Sequence, residues 1–174
     1  MRLRTARLTL RRWRGTDREA FAALNADPEA TRDLGGPLDR SRSDAKFDRY
    51  VATFERHGFC RWAIEDSQQP FLGYAGVMPR PADHPLGPHA DVGWRLARSA
   101  WGQGYATEAA AAALLDAFTR IGLGEVLAYT SPDNARSRAV MQRLGLQRDP
   151  ARDFCHLYDG KPWHGLVWVA RPVA

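Results

Sequence analysis

The chain predicts an α/β protein of the α+β kind: a mixed, mostly antiparallel central sheet flanked by helices, in a single domain over residues 1–174. Three observations predict it. Apolar residues recur at helical spacing in three capped pieces before residue 58. Three strand-like runs then follow at hairpin distances, which makes them antiparallel neighbours. A long alanine-rich helix separates the last of these from a further strand, a crossover that suits a parallel pair.

In chain order, Leu8, Leu10 and Trp13 alternate with Thr and Arg as in a half-exposed strand. Thr16-Asp-Arg-Glu19 reads as a capping box ahead of a short helix striped by Ala20, Phe21 and Leu24. Asp27 can cap a second helix with Pro28 at its first position, and Gly35-Gly-Pro37 ends that piece. From about residue 43 to 57, Phe47, Tyr50, Val51 and Phe54 return at helical intervals. Strands are expected at 61–65, 71–78 and 90–96, joined by Asp66-Ser-Gln-Gln-Pro70 and by a proline-rich loop over 79–88. A helix from about 105 to 121 leads to a strand at 126–130, and two last strands near 153–157 and 163–169 close the domain.

The chemistry concentrates in Asp91-Val-Gly-Trp-Arg-Leu96 and the following Ser99-Ala-Trp-Gly-Gln-Gly-Tyr-Ala106, which read as strand, glycine loop and helix start. The first turn of a helix leaves N–H groups unpaired and carries partial positive charge, so an anion can dock there without a cationic side chain. Gly102 and Gly104 lack Cβ atoms and let a pyrophosphate approach the backbone of residues 103–106. The same glycines could instead only make a tight turn. No Gly-Lys-Ser/Thr follows, as a P-loop would need, and no third glycine completes a dinucleotide fingerprint. A second segment, Thr130-Ser-Pro-Asp-Asn-Ala-Arg-Ser-Arg-Ala-Val-Met-Gln-Arg-Leu-Gly-Leu146, turns from a strand end into a short amphipathic helix that Gly145 stops.

With both segments in view, the chain resembles the GCN5-related N-acetyltransferases (GNAT), and among them the ribosomal-protein N-terminal acetyltransferases. The resemblance runs from Arg7-Leu-Thr-Leu-Arg-Arg-Trp13 through Gly-Trp-Arg-Leu and Trp-Gly-Gln-Gly-Tyr-Ala-Thr-Glu-Ala to Asn134-Ala-Arg-Ser-Arg and Leu144-Gly-Leu. Ser99 departs from the family's Gln or Arg three residues before Gly102, which removes a side chain and leaves the backbone cradle. The resemblance implies splayed central strands with the pantetheine arm of acetyl-CoA between them. It places the main chain of Leu96 against that arm, and Gln103, Gly104, Tyr105 and Ala106 on the phosphates, with Gly102 and Trp101 flanking the loop. Asn134 would bind the arm, or simply cap its helix, and Arg138 would bring a cation to the cofactor.

The implied reaction is direct attack of a neutral primary amine on the thioester, the acceptor being a protein N-terminus or a small amine. A backbone N–H near Trp94 would face the developing oxyanion. Ser137 is the expected proton donor to the leaving thiolate, although its hydroxyl could equally bond back to its own helix. Asp91 is the first candidate for the base and His156, in Asp153-Phe-Cys-His156, the second, each with a structural alternative as a solvated strand end or a packed ring. A rival reading keeps Gly102, Gly104 and Asn134 in a non-catalytic acyl-CoA-binding or sensing module.

Composition sets bounds. The net charge is +5 and the pI about 9.7, but only two of the 25 cationic residues are lysines and the arginines interleave with acids, so nucleic-acid binding is not favoured. The dense group Arg2, Arg4, Arg7, Arg11, Arg12 and Arg14 reads as an exposed strand face guarding a sheet edge. No apolar run reaches membrane-spanning length and Met1-Arg-Leu-Arg leads into no signal sequence, so no membrane partner and a cytoplasmic location are expected, as a monomer or homodimer. Cys60 and Cys155 are read as reduced thiols, and the five histidines show no ligand spacing, so no metal is expected.

Overall fold

Two alternating runs, Arg2–Arg4 (β1) and Thr9–Arg11 (β2), start the sheet in place of one continuous first strand, because Thr5 turns the chain back by accepting from and donating to Leu8. The computed structural model describes residues 1–158 and 160–172. The helices α1 (Arg18–Ala26), α2 (Pro28–Thr31) and α3 (Arg40–His57) come next. Strands β3 (Arg61–Glu65), β4 (Gly73–Arg80) and β5 (His89–Leu96) precede α4 (Tyr105–Thr119), β6 (Val126–Thr130) and α5 (Ala135–Arg143). The chain ends in β7 (Gln147–Arg148), which the sequence reading missed, then β8 (Phe154–Tyr158) and β9 (Lys161–Ala170).

Strand order is β1-β2-β3-β4-β5-β6-β9-β7, with β8 also on β9. Every neighbouring pair is antiparallel except β5 and β6, which are parallel. Among the described residues those two strands pair at a single position, Asp91 opposite Leu127. Beyond it they diverge, so residues 92–96 have β4 on one edge and no strand on the other. The sheet is split there, and the cleft that follows is a consequence of that split.

Packing bridges the gap, because Val77 and Val92 share one buried cluster with Val126 and Ala128 through Ala110, Leu114 and Ala117 of α4. Trp13, Phe21, Phe47, Tyr50 and Tyr74 form one aromatic cluster between α1, α3 and the first half-sheet, with Trp13 edge-on to Phe21 at 5.0 Å and to Phe47 at 5.3 Å. Each such buried aromatic contributes about 1.5–3 kcal/mol. On α4 the buried side chains Ala109, Ala110, Ala113 and Ala117 are small enough to bring that helix close to β4 and β5.

The helix starts mostly follow local chemistry. Asp27 accepts from the N–H groups of Glu29 and Ala30, and Asp39 from that of Arg42. The Thr16–Glu19 box is not used. Asp17 instead accepts from Arg14 N at 2.7 Å, while Glu19 pairs with Arg40. Arg11 departs from the exposed face expected of it: it is buried and forked onto Asp17 at 2.8 Å, with a second bond to Glu65. Arg2 and Arg4 do lie exposed on the terminal strand. Neither cysteine is bridged, and burial pushes the Cys60 thiol up to about 11.

Candidate active site

The split between β5 and β6 opens into a cavity of about 1010 Å³. One wall is β5 at Trp94, Arg95 and Leu96; the loop 100–104 and the first turn of α4 form the floor; α5 closes the far side; Glu29, Ala30 and Asp33 face it from the early helices. Nine expected residues meet here: Leu96, Trp101, Gly102, Gln103, Gly104, Tyr105, Ala106, Asn134 and Ser137. They come from three elements up to 41 positions apart, brought together because β5 leads through a 3-10 turn and the glycine loop into α4, and β6 through a short turn into α5.

The glycine loop has the backbone that an anion cradle needs. Gly102 and Gly104 sit at φ +73° and +77°, where a side chain is strained, and a Cβ on Gly104 would meet only Arg7 Nη2 at 3.6 Å. The loop also has a support that the sequence reading assigned to a solvated strand face. Arg7 donates to Gln103 O at 2.8 Å, pairs with Glu108 at 2.6 Å and lies over the Tyr105 ring at 4.7 Å. Gln103 Nε2 in turn donates to Ser99 O, and Trp101 Nε1 to Leu96 O at 2.9 Å, which ties the loop to the end of β5.

On α5, Asn134 Oδ1 accepts from Ser137 N at 2.9 Å, so the cap is real and the amide Nδ2 is the end left for a ligand. Arg138 does not reach the cavity. It donates to Pro132 O, while Arg136 and Arg143 line the cleft and the Arg136 guanidinium stacks on Trp101 at 3.9 Å. Positions 136 and 138 differ by about 200° around a helix, so only one can face the cleft.

Both expected bases lie outside the lining. Asp91 is 3% exposed, accepts from Arg61 Nη2 at 2.6 Å and Arg80 Nε at 2.7 Å, and borders the point where β5 leaves β6. Burial would raise its pKa, but the two guanidiniums overcome this and hold it well below the usual carboxylate range. An acid so weakly basic is a strut, and its geometry argues against the base role. Gly93 makes room for the pair, since a Cβ there would fall 2.8 Å from Arg61 Nη2. His156 sits on β8 opposite Trp163, beside the ring group of His84, His89, Tyr129 and Phe154.

Under α3 lies a polar group with no forewarning in the sequence. Lys46 Nζ approaches Tyr74 Oη at 3.1 Å and Asn25 Oδ1 at 3.3 Å; Arg95 Nη1 donates to the same Asn25 oxygen at 2.9 Å; and Asn25 Nδ2 donates to Ser43 Oγ. Burial pushes Lys46 down to about 8. Burial alone would raise the Tyr74 phenol, yet Arg95 and Lys46 outweigh it and hold it down to about 7.

The residues present fit acetyl-CoA. An open backbone cradle at a helix start, a β5 edge that pairs with β6 only at Asp91 and an Asn amide offer partners for pyrophosphate and an amide-bearing arm. Comparison with known proteins agrees. A family model for the acetyltransferase (GNAT) domain matches residues 7–147. An FsC-acetyl coenzyme A-N(2)-transacetylase of Aspergillus fumigatus is 33% identical over 168 residues, covering 92% of this chain and 70% of its own. The crystal structure of an acetyltransferase from Agrobacterium tumefaciens superposes with a TM-score of 0.84 at 30% identity, over 99% of this chain and 95% of that one. A ribosomal L7/L12 α-N-protein acetyltransferase in complex with coenzyme A shares the fold, with a TM-score of 0.77 at 16% identity over 98% of each chain.

Proposed function

We propose that this chain, which belongs to the acetyltransferase (GNAT) domain family, is an N-acetyltransferase that moves an acetyl group from acetyl-CoA to a primary amine, with residues 1–174 acting as one domain. The observation that carries this reading is the cavity that joins the split edge of β5 to the Gly102–Gly104 cradle. The acceptor is a protein N-terminus or a small amine. A likeness in fold to ribosomal-protein acetyltransferases supports the first, and the identity to a transacetylase acting at a named nitrogen supports the second.

Acetyl-CoA, when bound, supplies an activated thioester that a neutral amine can attack without a covalent enzyme intermediate. The chain's own part is positioning and charge management. The N–H groups of residues 103–106 and the partial positive charge of the α4 start would hold the phosphates, with Arg7 keeping the loop in shape. Trp101, backed by Arg136, gives the cavity a rigid wall, and the Asn134 amide can donate to the arm. The open edge of β5 near Trp94 offers backbone groups to the reacting carbonyl. Ser137, one turn along α5 and lining the same cavity, would protonate the leaving sulfur. The amine loses its proton to water or to a group on the Glu29–Asp33 side, since Asp91 is committed to its arginines.

Titration calorimetry with acetyl-CoA, CoA and ATP tests this. Binding of the first two without ATP, followed by thiol release on adding amines, is the expected result. Acetyl-CoA binding with no turnover on any amine would favour the non-catalytic module, and no binding at all would remove the cofactor assignment.

A further inference from the structure

The cations of the first half-sheet and α3 are unequally partnered. Among the described residues Asp91 is the sole carboxylate bonded to Arg61 and Arg80, and Arg95 and Lys46 form no ion pair with a carboxylate, their hydrogen-bond partners being Asn25 and Tyr74. Arg61 and Arg80 thus share the Asp91 carboxylate, while Arg95 and Lys46 have only an amide and a phenol oxygen as side-chain partners. Arg95 is only 7% exposed, yet it lines the cavity, and its Nε is buried without a hydrogen-bond partner. A buried guanidinium with an unpartnered donor and no carboxylate beside it is costly unless a ligand completes it. On the other wall Asp33 lines the same cavity, and its carboxylate has no hydrogen bond or ion pair among the described residues.

We infer that Arg95 and Asp33 form an acceptor subsite for an amine that also carries a carboxylate, an amino-acid-type zwitterion. The carboxylate meets Arg95, with the positive charge of Lys46 behind it, and the ammonium meets Asp33. The carboxylate offers two acceptor oxygens to a planar fork whose Nη1 is already held by Asn25, which fixes the guanidinium and leaves Nε to the ligand. The phosphates of the cofactor have their own cradle in residues 102–106 at the α4 start, while Arg95 is held by Asn25 of α1. This subsite rests on the acetyltransferase reading and adds to it the class of acceptor.

The test uses matched pairs of L-amino acids and their carboxamides, which differ only in the anionic group. Each is titrated calorimetrically into the protein with and without CoA, and each is assayed for thiol release with acetyl-CoA. The expected result is that free carboxylates bind and react at a KM about tenfold or more below that of the amides, the loss expected for a charge-assisted bond at a buried site. Arg95→Gln should bring the ratio toward one, and Arg95→Lys should keep part of it. Asp33→Asn should raise KM for acid and amide alike. A ratio near one in the unaltered protein, or a ratio that persists in a folded Arg95→Gln variant, overturns the subsite. Acetyl-CoA binding measured alone reports separately on the parent reading, and the cofactor-free titration reports on Arg95 even if that reading fails.

Discussion

Asp91→Asn keeps the shape of the side chain and removes its charge, which separates a strut from a base. In the folded protein Asp91 accepts from Arg61 at 2.6 Å and from Arg80 at 2.7 and 3.2 Å, and Arg61 is as buried as the aspartate, at 3% exposure. The substitution leaves two guanidiniums without a counter-charge, at a cost of about 3–5 kcal/mol when both partners are dry. The Arg80 side chain is 28% exposed and recovers some solvation, which favours the lower end, about 3 kcal/mol. For a chain of this size that is a fall in Tm of about 6–12 °C. Because the folded carboxyl is held below its ordinary range, the contribution is fully present above the unfolded value near pH ~3.9 and is lost only as pH falls below it. Urea and thermal unfolding followed by circular dichroism at neutral pH read the loss directly. A variant with wild-type stability, a normal KM and a kcat that recovers only at high pH would refute the strut argument and restore Asp91 as the base.

Gly104→Val forces a branched side chain into a left-handed position at about 1–2 kcal/mol and fills the cradle, so calorimetry should show acetyl-CoA binding abolished; a folded variant with unchanged affinity would defeat the phosphate site. Asn134→Ala removes the cap of α5 for about 1 kcal/mol and should also weaken CoA binding, whereas equal affinity would leave Asn134 a cap alone. Ser137→Ala should lower kcat by about a hundredfold or less at unchanged acetyl-CoA affinity, thiolate being a good leaving group, and an unaltered kcat would remove the donor role. Burial, with His89 and Arg80 nearby, holds His84 down to about 4 from 6.5, and its Nδ1 accepts from Leu86 N. The unfolded chain therefore takes up this proton first: the contribution is intact above pH ~6.5 and is lost as pH falls toward 4. The stability difference between wild type and His84→Phe should shrink over that window in urea midpoints, and a constant difference would contradict the assignment.

The legible part of this protein was local. Strands 61–65 and 126–130, the caps at Asp27 and Asn134, the glycine loop and the helix after it rest on contacts within about four residues, which propensity, periodicity and turn chemistry encode directly. The cavity followed because its residues lie just after two strands that the chain order makes neighbours. What escaped was set by distant pairing. Arg7 looked like one of six solvated arginines until the sheet carried it against Glu108 and Gln103, about 100 positions away. Asp91 looked like an exposed strand end until β3 and β4 delivered Arg61 and Arg80 to it. Arg136 and Arg138 are equivalent as letters, and the docking angle of α5 chose between them. By itself the sequence determined where backbone groups would be free to hold an anion, because that depends on short-range geometry. Only the tertiary structure decided which charges are neutralised and which, like Arg95, are left open to a ligand, because a charge's partner is whatever the fold places within a few ångströms of it.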